Sequence, residues 1–287
     1  MDIQENVPVG SKTTMRIGGN ARYYAELVSE NDVETAWRKA QELHLPLIVL
    51  GAGSNTVFAD GIINALVVRI AANNVQIEGD TVSVEAGKNL AMLINELAGQ
   101  NLDLSALTGI PGTVGGAIFG NAGQGPKGVW MDTFVRSVTV FTGGEWKTLP
   151  REDCQFAYRE SVFKNMRHAP ILWHALLRIP KRAAQEIQAD VEHMLQKRMK
   201  TQPHRKTAGS VFKAVGETPA WKLIDAAGLR GKKFGGIEIS QKHANFFLND
   251  GSGTFADVHT AIQTVKESVD EPLAVEMRLI KEDGSTL

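Results

Sequence analysis

Thr108-Gly109-Ile110-Pro111-Gly112-Thr113-Val114-Gly115-Gly116-Ala117 is the stretch on which the reading turns, and it runs into Ile118-Phe119-Gly120-Asn121-Ala122-Gly123. So little side chain over so many positions means that the backbone itself comes close to something. Glycine lacks a Cβ, tolerates positive φ and leaves N–H groups open to an anion. A second stretch of this kind lies upstream. Gly51-Ala52-Gly53-Ser54-Asn55 follows the apolar run Leu45-Pro46-Leu47-Ile48-Val49-Leu50.

Together the two stretches predict a pair of backbone-amide cradles gripping a diphosphate from two sides, with Gly53 and Gly115 turned amide-first toward it. Taken singly, each is equally a tight turn. The first departs from the dinucleotide fingerprint, which needs a third glycine where a helix packs on its strand. Phe58-Ala59-Asp60-Gly61 reads as a turn, so no helix follows. Neither stretch contains Gly-Lys-Ser/Thr, which excludes a P-loop.

A chain of 287 residues predicts about two domains. Hydrophobic residues at 43% and charged residues at 22% are ordinary for a globular protein. Lys and Arg (31) balance Asp and Glu (32), so charge gives no sign of a nucleic-acid or membrane surface. The lone Cys154 excludes an intrachain disulfide, fits a reducing compartment and reads as packing rather than nucleophile. Met1-Asp2-Ile3-Gln4-Glu5-Asn6 lacks the features of a signal peptide. No apolar run approaches the ~20 residues that span a bilayer. The expectation is a cytoplasmic monomer acting on small molecules, with no nucleic acid and no membrane.

Along the chain, Tyr23–Val28 reads as a strand. Ser29 with Asp32 forms a capping box that opens a helix to about Leu43. Leu47–Leu50 is a short buried strand, and Leu66–Ile70, Val75–Ile77 and Val82–Val84 continue in β. Leu90, Leu93, Ile94 and Leu97 fall at helix spacing. Val135–Phe141, a Gly143-Gly144 hairpin and Ile171–Ile179 close the first part, at about residue 180. A polar helix over Ala184–Lys200 then ends at Gln202-Pro203. A loop and strand (Ala208–Lys213), a helix (Ala220–Ala227), a strand (Asn245–Leu248), a helix (Phe255–Val269) and a strand (Leu273–Ile280) complete the chain.

Three polar clusters stand out. Arg159 in Tyr158-Arg159-Glu160-Ser161 is either a surface partner of Glu160 or Asp153, or a planar donor aimed at a carboxylate or oxyanion. Ser210 in Ala208-Gly209-Ser210-Val211-Phe212-Lys213 is either a turn former or a hydroxyl that delivers a proton. It sits in no Gly-x-Ser-x-Gly nucleophile elbow. In Val275-Glu276-Met277-Arg278-Leu279-Ile280, strand alternation puts Glu276 and Arg278 on one face. That face is either solvated or aimed into a cleft. His243, in Lys242-His243-Ala244-Asn245-Phe246, is the one histidine in a suggestive context. No spacing suits a metal.

These segments, with Ile17-Gly18-Gly19, Gln202-Pro203 and Leu223-Ile224-Asp225, resemble the UDP-N-acetylenolpyruvoylglucosamine reductases, flavoenzymes of bacterial cell-wall synthesis. The match is ordered and runs nearly end to end. It implies an α+β protein with two FAD-binding subdomains of the vanillyl-alcohol-oxidase (PCMH) type, at about 1–70 and 71–180. A C-terminal α/β substrate domain would occupy 181–287. It also implies FAD held noncovalently by Gly51, Ala52, Gly53, Ser54 and Asn55 and by Gly109, Pro111, Gly112, Thr113, Gly115, Gly116, Ala117 and Asn121. NADPH would be the hydride donor, and the enolpyruvyl UDP-sugar would accept a hydride on its methylene carbon and a proton on the adjacent carbon. Ser210 is then the proton donor, and Arg159 and Glu276 polarise the enolpyruvyl carboxylate and stabilise the enolate. Glu276 aids an anion only when protonated or sharing a proton, the direction in which burial moves a carboxyl. Tyr158, Lys213, His243 and Arg278 fall to substrate binding. Two departures are visible. Ala214-Val215 stand where the family has Asn-Pro, and Ile179-Pro180-Lys181 leads straight into the helix, the shorter layout without a tyrosine-bearing insertion. The competing readings are an FAD oxidase or dehydrogenase acting on an alcohol or lactone, and a sugar-nucleotide binder without turnover.

Overall fold

The computed structural model describes residues 1–125 and 128–287. The chain opens with β1 (Ile3–Pro8), β2 (Asn20–Leu27), α1 (Glu30–Glu42), β3 (Leu47–Val49), β4 (Thr56–Phe58), β5 (Ile62–Ile70), β6 (Val75–Glu78) and β7 (Thr81–Glu85). The middle holds α2 (Leu90–Ala98), α3 (Val114–Phe119), β8 (Val135–Thr142), β9 (Glu145–Pro150) and β10 (Ile171–Arg178). The last third holds α4 (Ala184–Thr201), α5 (Ala220–Ala226), β11 (Lys233–Phe234), β12 (Ile237–Ile239), β13 (Phe247–Asn249), α6 (Phe255–Ser268) and β14 (Arg278–Ile280). Helices and strands are interspersed without a regular βαβ array, the α+β class. β1, β2, β5 and β3 pair in that order.

Contacts divide the chain into two units built from interleaved segments. The first comprises Met1–Ile3, Ala25–Gly51 and Val67–Arg198, and the second Gln4–Tyr24, Ala52–Leu66 and Met199–Leu287. This grouping differs from a linear division at about residue 180. α4 stays with the first unit as far as Arg198, and two N-terminal segments join the last third.

The first unit is organised by an antiparallel sheet of order β6-β7-β10-β8-β9. Its central strand β10 pairs Ala175 with Val84 on one side and with Val138 on the other. All three side chains are buried. α1 begins as expected, with the Ser29 hydroxyl accepting from Asp32 N–H and the Asp32 carboxylate accepting from Ser29 N–H. Val33, Ala36 and Ala40 form its buried face. The second glycine stretch is where the expectation of a loop fails, because Val114–Phe119 is helical. Thr113 caps it, accepting from Gly116 N–H at 3.2 Å. Gly115 lets it pack close, since a Cβ there would lie 2.8 Å from the Cβ of Ala86.

In the second unit, Met15, Ile17 and Val57 enter one core with Phe212, Phe247 and Ile262. β11, β12 and β13 form an antiparallel sheet, and α6 lies against β11 and β12. β14 pairs in parallel with β4, with Arg278 opposite Thr56, Leu279 opposite Val57 and Ile280 opposite Phe58. Neither expected strand over 208–213 nor that over 273–280 is regular throughout. Ser210 and Phe212 make only isolated bridges, to Phe246 and Val275, and the regular strand begins at Arg278. A bend at Met277 interrupts the extended run.

Asn249 ties the separated segments of this unit together. Only 4% exposed, its carboxamide donates to Met15 O at 2.8 Å and accepts from Gly251 N–H and Gly253 N–H at 2.8 and 3.0 Å. Asn249→Ala strands a buried carbonyl and removes the acceptor of two amides. Each unmet buried group costs about 1–3 kcal/mol. Urea denaturation should therefore show a loss of about 3 kcal/mol.

Candidate functional site

In the first unit, Tyr158 and Arg159 form a two-residue turn closed by paired hydrogen bonds between Ala157 and Glu160, at 3.1 and 3.0 Å. Arg159 lies in the left-handed region (φ 58°), a conformation that a bulky residue keeps only when its surroundings enforce it. They do so through the end of α3. The Arg159 guanidinium donates to Asn121 O at 3.3 Å and to Gly123 O at 2.8 Å. Ser161 donates to Phe119 O at 2.7 Å. The Asn121 amide donates to Ala157 O at 2.9 Å and accepts from Asp132 N–H at 3.1 Å. Carbonyl groups of the segment that follows α3 thus become the seat of a guanidinium. Tyr158 covers it, its ring 5.6 Å from the Arg159 guanidinium and 5.8 Å from the Trp130 ring.

The cradle differs from its expected form. The leading amides of α3 are committed internally, Val114 N–H to Lys88 O, Gly115 N–H to Ala86 O and Ala117 N–H to Thr113 O. Gly115 therefore serves close packing and does not aim an amide at an anion. Asn121, expected at the cofactor, is 0% exposed and holds the arginine turn. Gly53 (φ 67°) also serves packing, since a Cβ there would lie 2.5 Å from Lys12 O. The two glycine stretches nevertheless meet. A Cβ on Gly51 would lie 3.1 Å from the Thr113 hydroxyl. Gly51 and Thr113 are thus packing neighbours within the first unit.

Arg198, at the end of α4, carried no signal in the sequence because its helix reads as polar and solvated. In the fold its side chain lies against Gly109 (φ 77°), in the space a Cβ would fill. Burial first and the Arg159 charge second lower its pKa.

In the second unit, Ser210, Lys213, Glu276 and Arg278 are brought together by backbone pairing. Glu276 N–H donates to Val211 O at 2.8 Å, and Lys213 N–H to Ala274 O at 2.8 Å. Asn245, another residue without an assigned role in the sequence, grips Phe212 on both sides. Its carboxamide accepts from Phe212 N–H and donates to Phe212 O, each at 2.9 Å. Met277 and Leu279 are buried, whereas Glu276 and Arg278 are only half-buried, as alternation requires. Burial lowers the Arg278 pKa. Ala52, Ser54 and Asn55 belong to this unit. Asn55 donates from its amide to Glu276 O at 3.0 Å and accepts at its own carbonyl from Arg278 N–H at 3.0 Å.

Two known families match parts of the chain, the first of them drawing on segments of both units. Residues 21–149 match the FAD binding domain, and residues 201–279 match the UDP-N-acetylenolpyruvoylglucosamine reductase, C-terminal domain. The UDP-N-acetylenolpyruvoylglucosamine reductase of Dinoroseobacter shibae is 34% identical, the alignment covering 93% of this chain and 90% of that protein. The chain belongs to this reductase family. The Thermotoga maritima member is 36% identical over 92% of this chain and 93% of its own length. The crystal structure of UDP-N-acetylenolpyruvylglucosamine reductase (MurB) from Thermus caldophilus superposes with a TM-score of 0.86 at 30% identity, covering 97% of this chain and 99% of that one. Family membership makes this chain an oxidoreductase with an FAD-binding domain. Among the described residues no group of three or more His, Cys, Asp or Glu could hold a metal ion. No described helix is long and apolar enough to cross a membrane. Cys154 is buried, and burial raises its thiol to about 11.

His243 takes a packing position, its ring 4.7 Å from Phe246 and 6.1 Å from Trp221. Burial pushes its pKa down from 6.5 to about 4. Between those values the unfolded chain takes up a proton that the folded chain refuses, so stability falls as pH drops from 6.5 toward 4. The slope from this group is at most about 1.4 kcal/mol per pH unit. His243→Phe keeps a ring and removes the titration. Chemical denaturation at pH 7 and pH 5 should show a smaller acid-side loss in this variant than in the parent.

Proposed function

We propose that this chain reduces the enolpyruvyl group of UDP-N-acetylglucosamine enolpyruvate to UDP-N-acetylmuramate, with FAD as cofactor and NADPH as hydride donor. The product would feed peptidoglycan synthesis in the cytoplasm, and the enzyme would work as a monomer on small molecules. The observation that carries the reading is the junction at which Glu276 N–H bonds Val211 O, next to Ser210. There a hydroxyl and a carboxyl rest on paired backbones in a member of the reductase family.

Gly51, Gly112 and Thr113, with Ala52–Asn55, would hold the FAD diphosphate. When bound, FAD supplies hydride chemistry between NADPH and the methylene carbon of the enolpyruvyl group. Hydride arrival leaves negative charge on the adjacent carbon, delocalised into the carboxylate as an enolate. Arg159 and Glu276 would stabilise that charge. Donors fixed before the reaction need no reorganisation during it, which is how such groups lower a barrier. The Arg159 guanidinium is fixed in this sense by Asn121 O and Gly123 O. Ser210 would give the proton that completes the D-lactyl ether. Lys213 and Arg278 would bind substrate anions, with Tyr158 beside them in role.

Rapid-mixing absorbance of the flavin separates the two half-reactions. Ser210→Ala should be reduced by NADPH at a near-normal rate and reoxidised by the enolpyruvyl nucleotide about 10²–10⁴-fold more slowly, the usual worth of general-acid help. Ser210→Cys should recover part of that loss. Reoxidation of the alanine variant within a few-fold of the parent would make Ser210 a turn residue. Arg159→Lys keeps the charge but loses the planar fork. It should slow the same half-reaction and leave NADPH bleaching intact. An equal loss in both half-reactions would mean a structural role. Flavin colour that returns as fast with oxygen as with the nucleotide would favour an oxidase.

A further inference from the structure

The Glu276 peptide is held on both sides. Its N–H is bonded by Val211 O at 2.8 Å, and its C=O accepts the Asn55 carboxamide at 3.0 Å. The second bond lies just beyond the parallel ladder of β4 and β14, which begins at Thr56 and Arg278. The bend at Met277 ends regular pairing there, so no further strand rung is available for the Glu276 carbonyl. The Asn55 side chain supplies that rung, while Asn55 O takes the Arg278 N–H at 3.0 Å. One residue thus clamps both ends of the Glu276–Arg278 segment, with its side chain at one and its backbone at the other. Asparagine suits the position because its carboxamide offers the donor geometry of a peptide N–H.

From this we infer that Asn55 is a positioning residue, which fixes Glu276 and couples its placement to the glycine segment Ala52–Asn55. The inference rests on the proposed reductase role of Glu276 for its catalytic meaning, and on the two hydrogen bonds alone for its structural content. A cofactor that orders the Ala52–Asn55 segment would, through this amide, also order the peptide carrying the acid. Proton handling would then become fully competent only after the cofactor site is filled. A residue read from sequence as part of a phosphate cradle is in this arrangement a strut between cradle and acid.

The test is hydrogen exchange by mass spectrometry on the parent and on Asn55→Asp, with and without FAD. The aspartate has nearly the same shape but lacks the N–H donor, and it keeps the backbone bond to Arg278. In the parent, FAD should slow exchange in peptides spanning 274–280. In Asn55→Asp, exchange there should be at least tenfold faster than in the parent, with peptides of β10 (171–178) unchanged. With flavin bound, the limiting rate of reoxidation by the enolpyruvyl nucleotide should fall at least tenfold, with its half-saturating concentration little changed. Should the added charge itself disturb folding, Asn55→Ala gives the same comparison without charge. Unchanged exchange over 274–280 overturns the inference, as does a uniform rise across the chain in both variants. Failure of the reductase reading would appear separately, as a parent that NADPH does not reduce, and would leave the exchange result intact.

Discussion

The constraint on which the second unit depends is the parallel pairing of β4 with β14. Parallel strands cannot be joined by a tight turn, so the pair closes a very long loop of chain. The closure cost grows only slowly with loop length. It is offset by burial of Val57, Phe58, Leu279 and Ile280, none more than 3% exposed. Once the pair forms, the glycine segment before β4 and the acidic segment before β14 must lie side by side. The bridge from Val275 to Phe212 then brings in Ser210. Polar chemistry here is placed by backbone registration, with the side chains carried along.

The first unit reaches a similar end by other means. Arg159 sits on a turn whose left-handed backbone would be unfavourable alone, and carbonyl groups beyond α3 hold it. Charge and conformation support each other, because the guanidinium supplies the donors that those carbonyls need. Gly109 contributes by omission, leaving the space that the Arg198 side chain fills.

Much of this was legible in the sequence. The α1 capping box, the apolar spacing of α2 and the β runs follow from local preference, and the ordered motifs identified the family. What local preference hides is the use made of each glycine. Gly115 looks like an exposed amide and is a packing contact with Ala86. Val114–Phe119 contains two glycines and still forms a helix, because Thr113 caps it and burial outweighs propensity. Asn121 and Asn55 sit in glycine-rich segments and read as ligand contacts, yet both bond the protein's own backbone. Arg198 and Asn245 could not be assigned, since their partners are far away along the chain. Strand alternation did anticipate which of residues 276–279 are buried, although the regular strand is shorter than expected.

The interleaving of segments has a consequence for synthesis. Met15, Ile17 and Val57 leave the ribosome early, but the residues they pack against, from Ala208 to Leu279, are made last. The first unit, ending at Arg198, can compact while the remainder is still being translated. The second must keep its early segments apolar and uncommitted until the C-terminal strand emerges. Such late, non-local closure is slow and leaves sticky intermediates. Chaperone dependence and aggregation during expression should therefore track the last third of the chain, and a nascent chain stalled before β14 would hold its acid, hydroxyl and glycine segments unassembled.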